Sequence, residues 1–489
     1  MGENQEQNNI QHVFSELSAM APERTPRYAP TDVGSAFLFG DMYFDRLRYV
    51  PERKLWYCYN GRVWEPDLGG LQAMEMCKDL ADALYLYMLR LDDGTPTTNG
   101  GRQQLLKAAD RWRQRRFRET VLKDAMGVYP AKLSDFDSKP YLFNCGNGTL
   151  DLRTGEFRPH DYRDMLSAMS GTDYEPGARS ELWEKTVAEV MKDDKDLSAY
   201  LQKALGYGLT GDTSEECFFL LYGPTTRNGK GTVMETYMKL LGGYGRAARP
   251  ETIALRQNYN ASGPTEEIAK LCGARAVNIS EPDKQLVLSA ALVKTLTGND
   301  TLTARFLNEN SFEFRPQFKL FINTNHLPRA NDVTIFSSGR VKVLPFDRHF
   351  GPGEQDKTLK RRLLKELPGV LNWCLEGLWL MRETGFEPPE AVQAATAQYQ
   401  YDSDKLTRFV EEMLVKDPEG EVSTTEVYGE YKEWCTKTGQ QYESLTNFKR
   451  GLETIGTVKR KRPHGSDRTA NLITMLCGYR LEEDSVFFS

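Results

Sequence analysis

Cys217-Phe-Phe-Leu-Leu-Tyr-Gly-Pro-Thr-Thr-Arg-Asn-Gly-Lys-Gly-Thr232 decides how the rest of this chain is read. Cys217 to Tyr222 is a short continuous apolar run, the pattern of a strand buried on both faces. A glycine-bounded loop follows, and a helix is expected from Val233. Strand, glycine loop and helix is the context in which a phosphate loop is credible. Glycines let backbone N–H groups converge on phosphate oxygens, and the helix N-terminus adds the positive end of its dipole. Lys230 then neutralises charge on the β and γ phosphates, and a nearby hydroxyl completes a Mg²⁺ shell. The expected nucleotide-binding set is Gly223, Pro224, Asn228, Gly229, Lys230, Gly231 and Thr232, with Thr232 also a metal candidate. The spacing departs from the common pattern twice. Five residues separate Gly223 from Gly229 where four are usual, and Thr232 stands one position late, behind Gly231. Gly-Lys-Gly-Thr also resembles some nucleotide kinases, and the residues leave open whether Thr232 meets Mg²⁺ directly or through water.

Two further apolar runs extend the α/β pattern downstream. Ala274–Ser280 reads as a buried strand that delivers Glu281 at its end. Hydrolysis needs a carboxylate there to hold Mg²⁺ and polarise the attacking water. Asp283 is the alternative acid. Phe318–Thr324 is the third strand and ends at Asn325, an amide placed to orient a lytic water or sense the γ phosphate. Asn323 is the second choice there, and a plain turn asparagine before His326-Leu-Pro328 is the competing reading. Arg340 precedes the apolar run Val341–Phe346 and is the candidate for reaching a neighbouring subunit's nucleotide. Arg329 competes for that role, and an ordinary surface arginine is the bland alternative. Lys230, Glu281, Asn325 and Arg340 form the expected catalytic set, with Glu281 also a metal candidate.

The organisation on either side follows from composition shifts. Residues 1–30 are polar with Pro22, Pro26 and Pro30, and are expected to be a flexible tail. Residues 31–165 read as an α+β domain: Asn60-Gly61 between aromatic-rich runs signals a hairpin, and Asn147-Gly148 and Thr154-Gly155 mark further turns. Helical stretches are expected over about 70–91 and 102–123. The second carries Arg111, Arg113, Arg115, Arg116 and Arg118 around Trp112 and Phe117, which is either a phosphate-binding face or a solvated helix whose aromatics pack inward. Residues 166–215 are expected to form a helical collar, 216–350 the ATPase core, 351–404 a helical subdomain and 405–489 a winged helix. The fold class expected is multidomain α/β: an AAA+-like P-loop core with an α+β N-terminal domain, a helical collar and a C-terminal winged helix.

Bulk properties exclude several function classes. The 489 residues carry eight cysteines with no CxxC spacing and five histidines apart from them, so a zinc site is not expected. No apolar run approaches the roughly 20 residues that span a bilayer, and the polar start shows no secretory signal. The expected partners exclude a membrane, and the expected location is the cytoplasm, in a bacterial host or encoded by a mobile element. The net charge of −6 moves any nucleic-acid site to a local cluster. Such a cluster is Lys459, Arg460, Lys461 and Arg462, with His464 and Arg468, preceded by a helix bearing Lys449 and Arg450. On a winged helix these are the wing and the recognition helix. A basic solubilising loop is the alternative.

Taken in order, LYGPTTRNGKGT, GARAVNISE, LVKTLTGNDTLTARFL, FEFRPQFKLFINTNHLP and GRVKVLPF resemble the superfamily 3 helicase module of phage/plasmid and poxvirus primase–helicases. YLFNCGNGTLDLRTGEFRPHD and YLQKALGYGLTGDTSEE resemble the family's amino-terminal helicase-associated domain. The resemblance implies an ATP- and Mg²⁺-dependent replicative DNA helicase, a ring and usually a hexamer, moving 3′ to 5′ on single-stranded DNA. Its partners would be single-stranded and forked DNA, with a separate primase or other replication proteins as further candidates. No convincing set of primase-type metal-binding acids stands upstream, so primer synthesis by this chain is not expected. It also implies a DNA-touching hairpin, here about Thr303–Phe314. The tip, Leu307-Asn-Glu-Asn-Ser311, lacks the usual cation, leaving Asn308 and Asn310 as phosphate donors with Arg305 and Lys294 nearby. A replication initiator or DNA-remodelling ATPase that melts DNA without processive unwinding is the second reading.

Overall fold

The computed structural model describes residues 2–92, 94–255, 266–282, 286–307, 309–330, 332–461 and 472–482. The chain begins with α1 (Gly2–Met20) and α2 (Asp32–Met42). An antiparallel meander follows: β1 (Leu47–Val50), β2 (Leu55–Tyr59) and β3 (Trp64–Asp67). The Asn60-Gly61 signal marks a four-residue loop, because Tyr59 pairs with Trp64. Asn60 Oδ1 accepts from the Arg62 and Val63 amides at 3.0 Å. Next come α3 (Leu71–Arg90), α4 (Arg102–Trp112) and α5 (Arg115–Ala125).

Two expectations change here. Residues 11–30 are docked rather than a flexible tail. Val13 and Leu17 lie four apart on α1 and are buried in the α2–α3 core. The chain after α1 is tied down as well: the buried Glu23 accepts from the Tyr87 hydroxyl at 2.8 Å. The helical stretch at 102–123 is two helices broken at Gln114. Trp112 and Phe117 pack edge to face inside, 5.9 Å between centroids. Arg111 and Arg113 pair with Asp32 and Asp82, Arg115 pairs with Glu119, and Arg118 caps the Trp112 and Arg113 carbonyls. Most of the supposed phosphate-binding face therefore has internal partners.

A second meander, β4 (Leu142–Cys145), β5 (Gly148–Asp151) and β6 (Phe157–Arg158), turns at Gly146-Asn147, one residue earlier than the sequence suggests. Helices α6 (Glu181–Val190) and α7 (Lys195–Tyr207) lead into the central sheet.

That sheet is built from β7 (Phe218–Tyr222), β8 (Gly245–Ala248), β9 (Ala276–Ser280), and two later strands. Between β7 and β8 runs α8 (Lys230–Leu241), and α9 (Glu266–Ala269) precedes β9. After β9 come β10 (Val287–Leu288), α10 (Ala290–Thr297) and a hairpin of β11 (Leu302–Arg305) and β12 (Ser311–Phe314). Then follow β13 (Lys319–Thr324), β14 (Arg329–Ala330), α11 (Thr334–Ser337) and β15 (Val341–Pro345). The five main strands run parallel in the order β15-β7-β13-β9-β8, and β10 pairs with β14 apart from them. Alternation along β7 serves two cores. Phe219 and Leu221 face the α7–α8 side, while Phe218 and Leu220 face the α10 and hairpin side.

Helices α12 (Leu359–Leu363), α13 (Leu367–Thr384) and α14 (Glu390–Ser403) follow the sheet. α13 crosses α7 at backbone contact: a Cβ at Gly377 would meet the Gln202 carbonyl oxygen at 2.2 Å. The last unit comprises α15 (Lys405–Met413), β16 (Leu414–Ser423), α16 (Thr424–Lys437), α17 (Leu445–Ile455), β17 (Thr457–Lys461) and β18 (Ile473–Leu481). Its strands form an antiparallel sheet in the order β16-β18-β17, around Phe409, Tyr431, Phe448 and Leu476.

Two cations are buried at the edge of the central sheet where its strands begin. Arg275 donates to the Leu209 carbonyl at 2.7 Å and lies over the Tyr244 ring. Lys319 donates to the carbonyls of Thr210 at 2.5 Å and Asp212 at 3.0 Å. Burial pushes its ammonium pKa well down. Together they fix the 207–213 connection under the sheet. Among the described residues no helix is long and apolar enough to cross a membrane.

Candidate nucleotide site

The carboxyl ends of β7, β9 and β13 lie side by side, so residues just beyond them converge by topology alone. Beyond β7 the chain bends through Arg227 (φ 59°) and Gly229 (φ 84°), and α8 opens at Lys230. A left-handed backbone suits glycine at 229, and the packing requires it: a Cβ there would meet Val190 Cγ2 of α6 at 2.4 Å. The buried Asn228 braces the loop by donating to the Thr225 carbonyl at 2.8 Å.

Lys230 is buried, and its ammonium donates to Asn325 Oδ1 at 2.7 Å and to the Gly223 carbonyl at 3.3 Å. Burial lowers its pKa to about 8, while the Glu281 carboxylate acts against that shift. Glu281 leaves β9 in a left-handed conformation (φ 51°), and its amide donates to the Asn323 carbonyl at 2.9 Å. A non-glycine residue held there is strained by about 1–3 kcal/mol, the kind of strain that gathers at functional sites. Lys230, Glu281 and Asn325 are thus brought together. Pro224 and Gly231 are exposed on the loop and helix start, and Thr232 sits on the first turn of α8. Asp283, the alternative acid, lies outside the described residues. Asn323 donates to Asn278 Oδ1 at 2.5 Å, and its own buried Oδ1 has no hydrogen-bond partner among the described residues.

Arg340 is elsewhere. It precedes β15 at the opposite edge of the sheet, where its carbonyl accepts from the Phe218 amide at 2.9 Å. Its guanidinium forms an ion pair with Glu216 and donates to Thr297 Oγ1 at 3.0 Å. Arg329, its rival, is exposed on β14.

Sequence reasoning missed one wall of the site. A cavity of about 480 Å³ opens beside the loop, between α6 and the 350–362 segment, lined by Val190, Arg227, Thr232, Phe350, Gln355 and Leu359 among others. Arg227 donates to Gln355 Oε1 at 2.7 Å, and its carbonyl accepts from the Phe350 amide at 2.9 Å. Arg227 stood inside the quoted loop. Nothing in the sequence pairs it with a segment 128 residues away.

The nucleic-acid candidates are dispersed. The hairpin forms with Arg305 opposite Ser311, and Asn310 is exposed at its tip; Asn308 lies outside the described residues. Lys294 is held by Thr334 Oγ1, at 3.9 Å from Asp332. Arg450, Lys459 and Arg460 are exposed and Lys449 is half-buried, while Lys461 is ion-paired with Glu421. Arg462 lies outside the described residues.

Fold and site define a mixed α/β, multidomain protein built on a parallel sheet with a glycine loop at its carboxyl edge. Residues 36–192 match the family described as D5 N terminal like, and residues 401–474 match Poxvirus D5 protein-like. "Putative helicase L207/L206" of Acanthamoeba polyphaga mimivirus is 28% identical over 344 residues, covering 65% of this chain and 35% of that protein. "Putative helicase 022R" of Frog virus 3 is 29% identical over 270 residues, covering 51% of this chain and 27% of that protein. The chain thus spans about a third or less of the length of these two curated relatives. Among solved structures, the A form apo C-terminal region of NrS-1 superposes with a TM-score of 0.51 at 12% identity, over 91% of this chain and 100% of that one. That similarity concerns the fold. Together these matches support membership of the D5-type primase–helicase family. A further relative comes from Invertebrate iridescent virus 3. Viruses of amoebae, frogs and invertebrates lend no support to the bacterial host expected above.

Proposed function

We propose that this chain is an ATP-hydrolysing DNA helicase motor of a large DNA virus or related mobile element. The observation that carries the reading is the convergence of Lys230, Glu281 and Asn325 beside a glycine loop at the carboxyl edge of a parallel sheet. Lys230 is held by two neutral acceptors, the Gly223 carbonyl and Asn325 Oδ1. Phosphate oxygens of ATP offer it charged acceptors instead, and neutralise the cost of its burial. Asn325, released from Lys230, is then free to orient the attacking water, and Glu281 accepts that water's proton. The cavity beside Arg227 and Phe350 has the size of a ligand site, about 300–1,000 Å³, and suits the nucleoside.

The residues suit Mg²⁺ arriving with ATP rather than a resident ion. Among the described residues no cluster of three or more His, Cys, Asp or Glu side chains stands ready for a metal. A Mg²⁺ that keeps several waters and takes most of its charge from phosphate needs only one or two protein oxygens. Glu281 and Thr232 would supply those oxygens, and the orphaned Asn323 Oδ1 a further acceptor for a bound water. The bound ion would supply charge neutralisation at the phosphates.

α15 to β18 follow one another in the order of a winged helix, with α17 the recognition helix. Residues 462–471, expected to be the wing, lie outside the described residues. Arg450, Lys459 and Arg460 are then the phosphate and groove contacts. Arg340 acts in trans in a ring, where a neighbour draws it from Glu216. ATP hydrolysis by the wild type, Lys230→Ala and Glu281→Gln tests the nucleotide reading. Lys230→Ala should lose nucleotide binding, and Glu281→Gln should bind ATP but hydrolyse it at least about a hundredfold more slowly. Hydrolysis surviving both changes overturns the reading.

A further inference from the structure

A cleft of about 730 Å³ lies between the N-terminal meander and the β11–β12 hairpin. Its walls carry Arg53, Arg246, Lys270 and Arg315 beside the lining carboxylates Asp137 and Glu313, and Lys270 is already ion-paired with Glu266 at 2.8 Å. Asp137 is buried and accepts from the Ser167 amide at 2.9 Å, and burial raises the pKa of its carboxyl, which weakens it as a counter-charge. Arg246 donates to the Gly245 carbonyl at 3.1 Å and to that of Gly243, and pairs with no carboxylate among the described residues. Arg315 is exposed and forms no ion pair among the described residues. Aromatic side chains line the same space, among them Tyr57, Phe306 and Phe314.

The hairpin tip closes one side through a single bidentate contact. Arg53, from the β1–β2 turn, donates to Glu309 Oε2 at 2.6 Å and Oε1 at 3.3 Å. The same guanidinium lies over the Phe306 ring at 4.0 Å, and Phe306 stacks on Phe312. A guanidinium fork accepts carboxylate and phosphate in the same planar geometry. Cations interleaved with aromatic faces are the composition that holds single strands without reading sequence.

We propose that this cleft binds the phosphodiester backbone of a single nucleic-acid strand, and that Glu309 occupies the Arg53 fork where a strand phosphate goes. A phosphate entering the fork displaces Glu309, frees the hairpin tip from the N-terminal meander and leaves Phe306 available to a base. The choice of a strand over a free nucleotide rests on the motor reading above; the anion site itself does not. In this scheme the tip needs no cation of its own, because the N-terminal meander supplies one.

The test is fluorescence anisotropy of a labelled single-stranded oligo-dT with the full chain, without ATP, so that a missing ATPase and a missing cleft are read separately. Glu309→Gln removes the competing carboxylate and should tighten binding several-fold. Arg53→Gln and Arg246→Gln should each weaken it several-fold and lower the salt slope by about 0.7 per lost contact. Arg315→Gln, at an exposed position, should do the same while leaving the melting curve of the chain unchanged. The opposite sign at Glu309 is what a purely structural ion pair would not produce. Unchanged or weaker binding by Glu309→Gln, or wild-type affinity in all three cation variants, overturns the proposal. Displacement of the oligonucleotide by thymidine monophosphate at equal phosphate concentration overturns the strand in favour of a free nucleotide.

Discussion

Raising the pH should weaken nucleotide binding through Lys230 alone, in a range where few other groups titrate. Its ammonium is buried and its pKa falls to about 8. Bound phosphates favour the charged form, so the bound-state pKa lies higher. The fraction of free protein with a charged Lys230 is then about ten elevenths at pH 7 and one eleventh at pH 9, a tenfold fall in affinity or about 1.4 kcal/mol. Isothermal titration of Mg–ATP in buffers of different ionisation enthalpy reads this twice. The affinity itself should fall about tenfold, and proton uptake on binding should rise from about 0.1 at pH 7 to about 0.9 at pH 9. Lys230→Arg keeps its charge throughout and should flatten the profile. Stability moves the other way. Between about 8 and 10.5 the unfolded lysine holds its proton and the folded one has lost it, so the nucleotide-free fold gains stability as pH rises through that window. A flat affinity between pH 7 and 9 in the wild type, with no proton uptake, would refute the placement of Lys230 against the phosphates.

Gly229→Ala puts a methyl group into Val190 at a left-handed position, and should abolish nucleotide binding while lowering stability by about 1–3 kcal/mol in urea unfolding. Lys319→Met leaves the Thr210 and Asp212 carbonyls without their donor, and should destabilise the α/β unit by about 2–4 kcal/mol, read as a fall in its melting temperature. Arg340→Ala should cut hydrolysis at least about a hundredfold without blocking nucleotide binding, whereas Glu216→Ala should leave hydrolysis near wild type. Equal losses in both variants would make the pair a clamp within one chain, and small amounts of Arg340→Ala mixed into wild type would then fail to poison it.

The parallel sheet was legible because strands buried on both faces read as unbroken apolar runs, and their polar ends, Glu281 and Asn325, mark the edge where a ligand sits. The hairpin was legible only through the family resemblance, which implied it at about Thr303–Phe314. What escaped depends on partners far away in the chain. α1 offers few large apolar residues, and Val13 and Leu17 gain meaning only once α2 and α3 are beside them. β16 was missed because Asp417-Pro-Glu-Gly420 reads as a turn, and the strand passes it through a shift in register between Lys416 and Glu421. For the arginines of α4 and α5 the sequence left a phosphate-binding face and a solvated helix with inward aromatics both open. The buried Trp112 and Phe117 match the second, while the partners Asp32 and Asp82, 79 and 31 residues earlier, could not be read from spacing. Arg340 was read as poised for a neighbour, and no spacing could reveal Glu216, 124 residues earlier, as its partner.

The central claim is that ATP hydrolysis at Lys230 drives strand separation. Its most direct measurement is displacement of a labelled strand from a 3′-tailed fork by the wild type, with Lys230→Ala alongside and a non-hydrolysable ATP analogue as control. The account predicts displacement by the wild type with ATP alone, and none with the analogue or the variant. Hydrolysis of ATP with DNA bound, yet no displacement from a 3′ or a 5′ tail, would contradict it and leave an ATPase that remodels DNA without unwinding it.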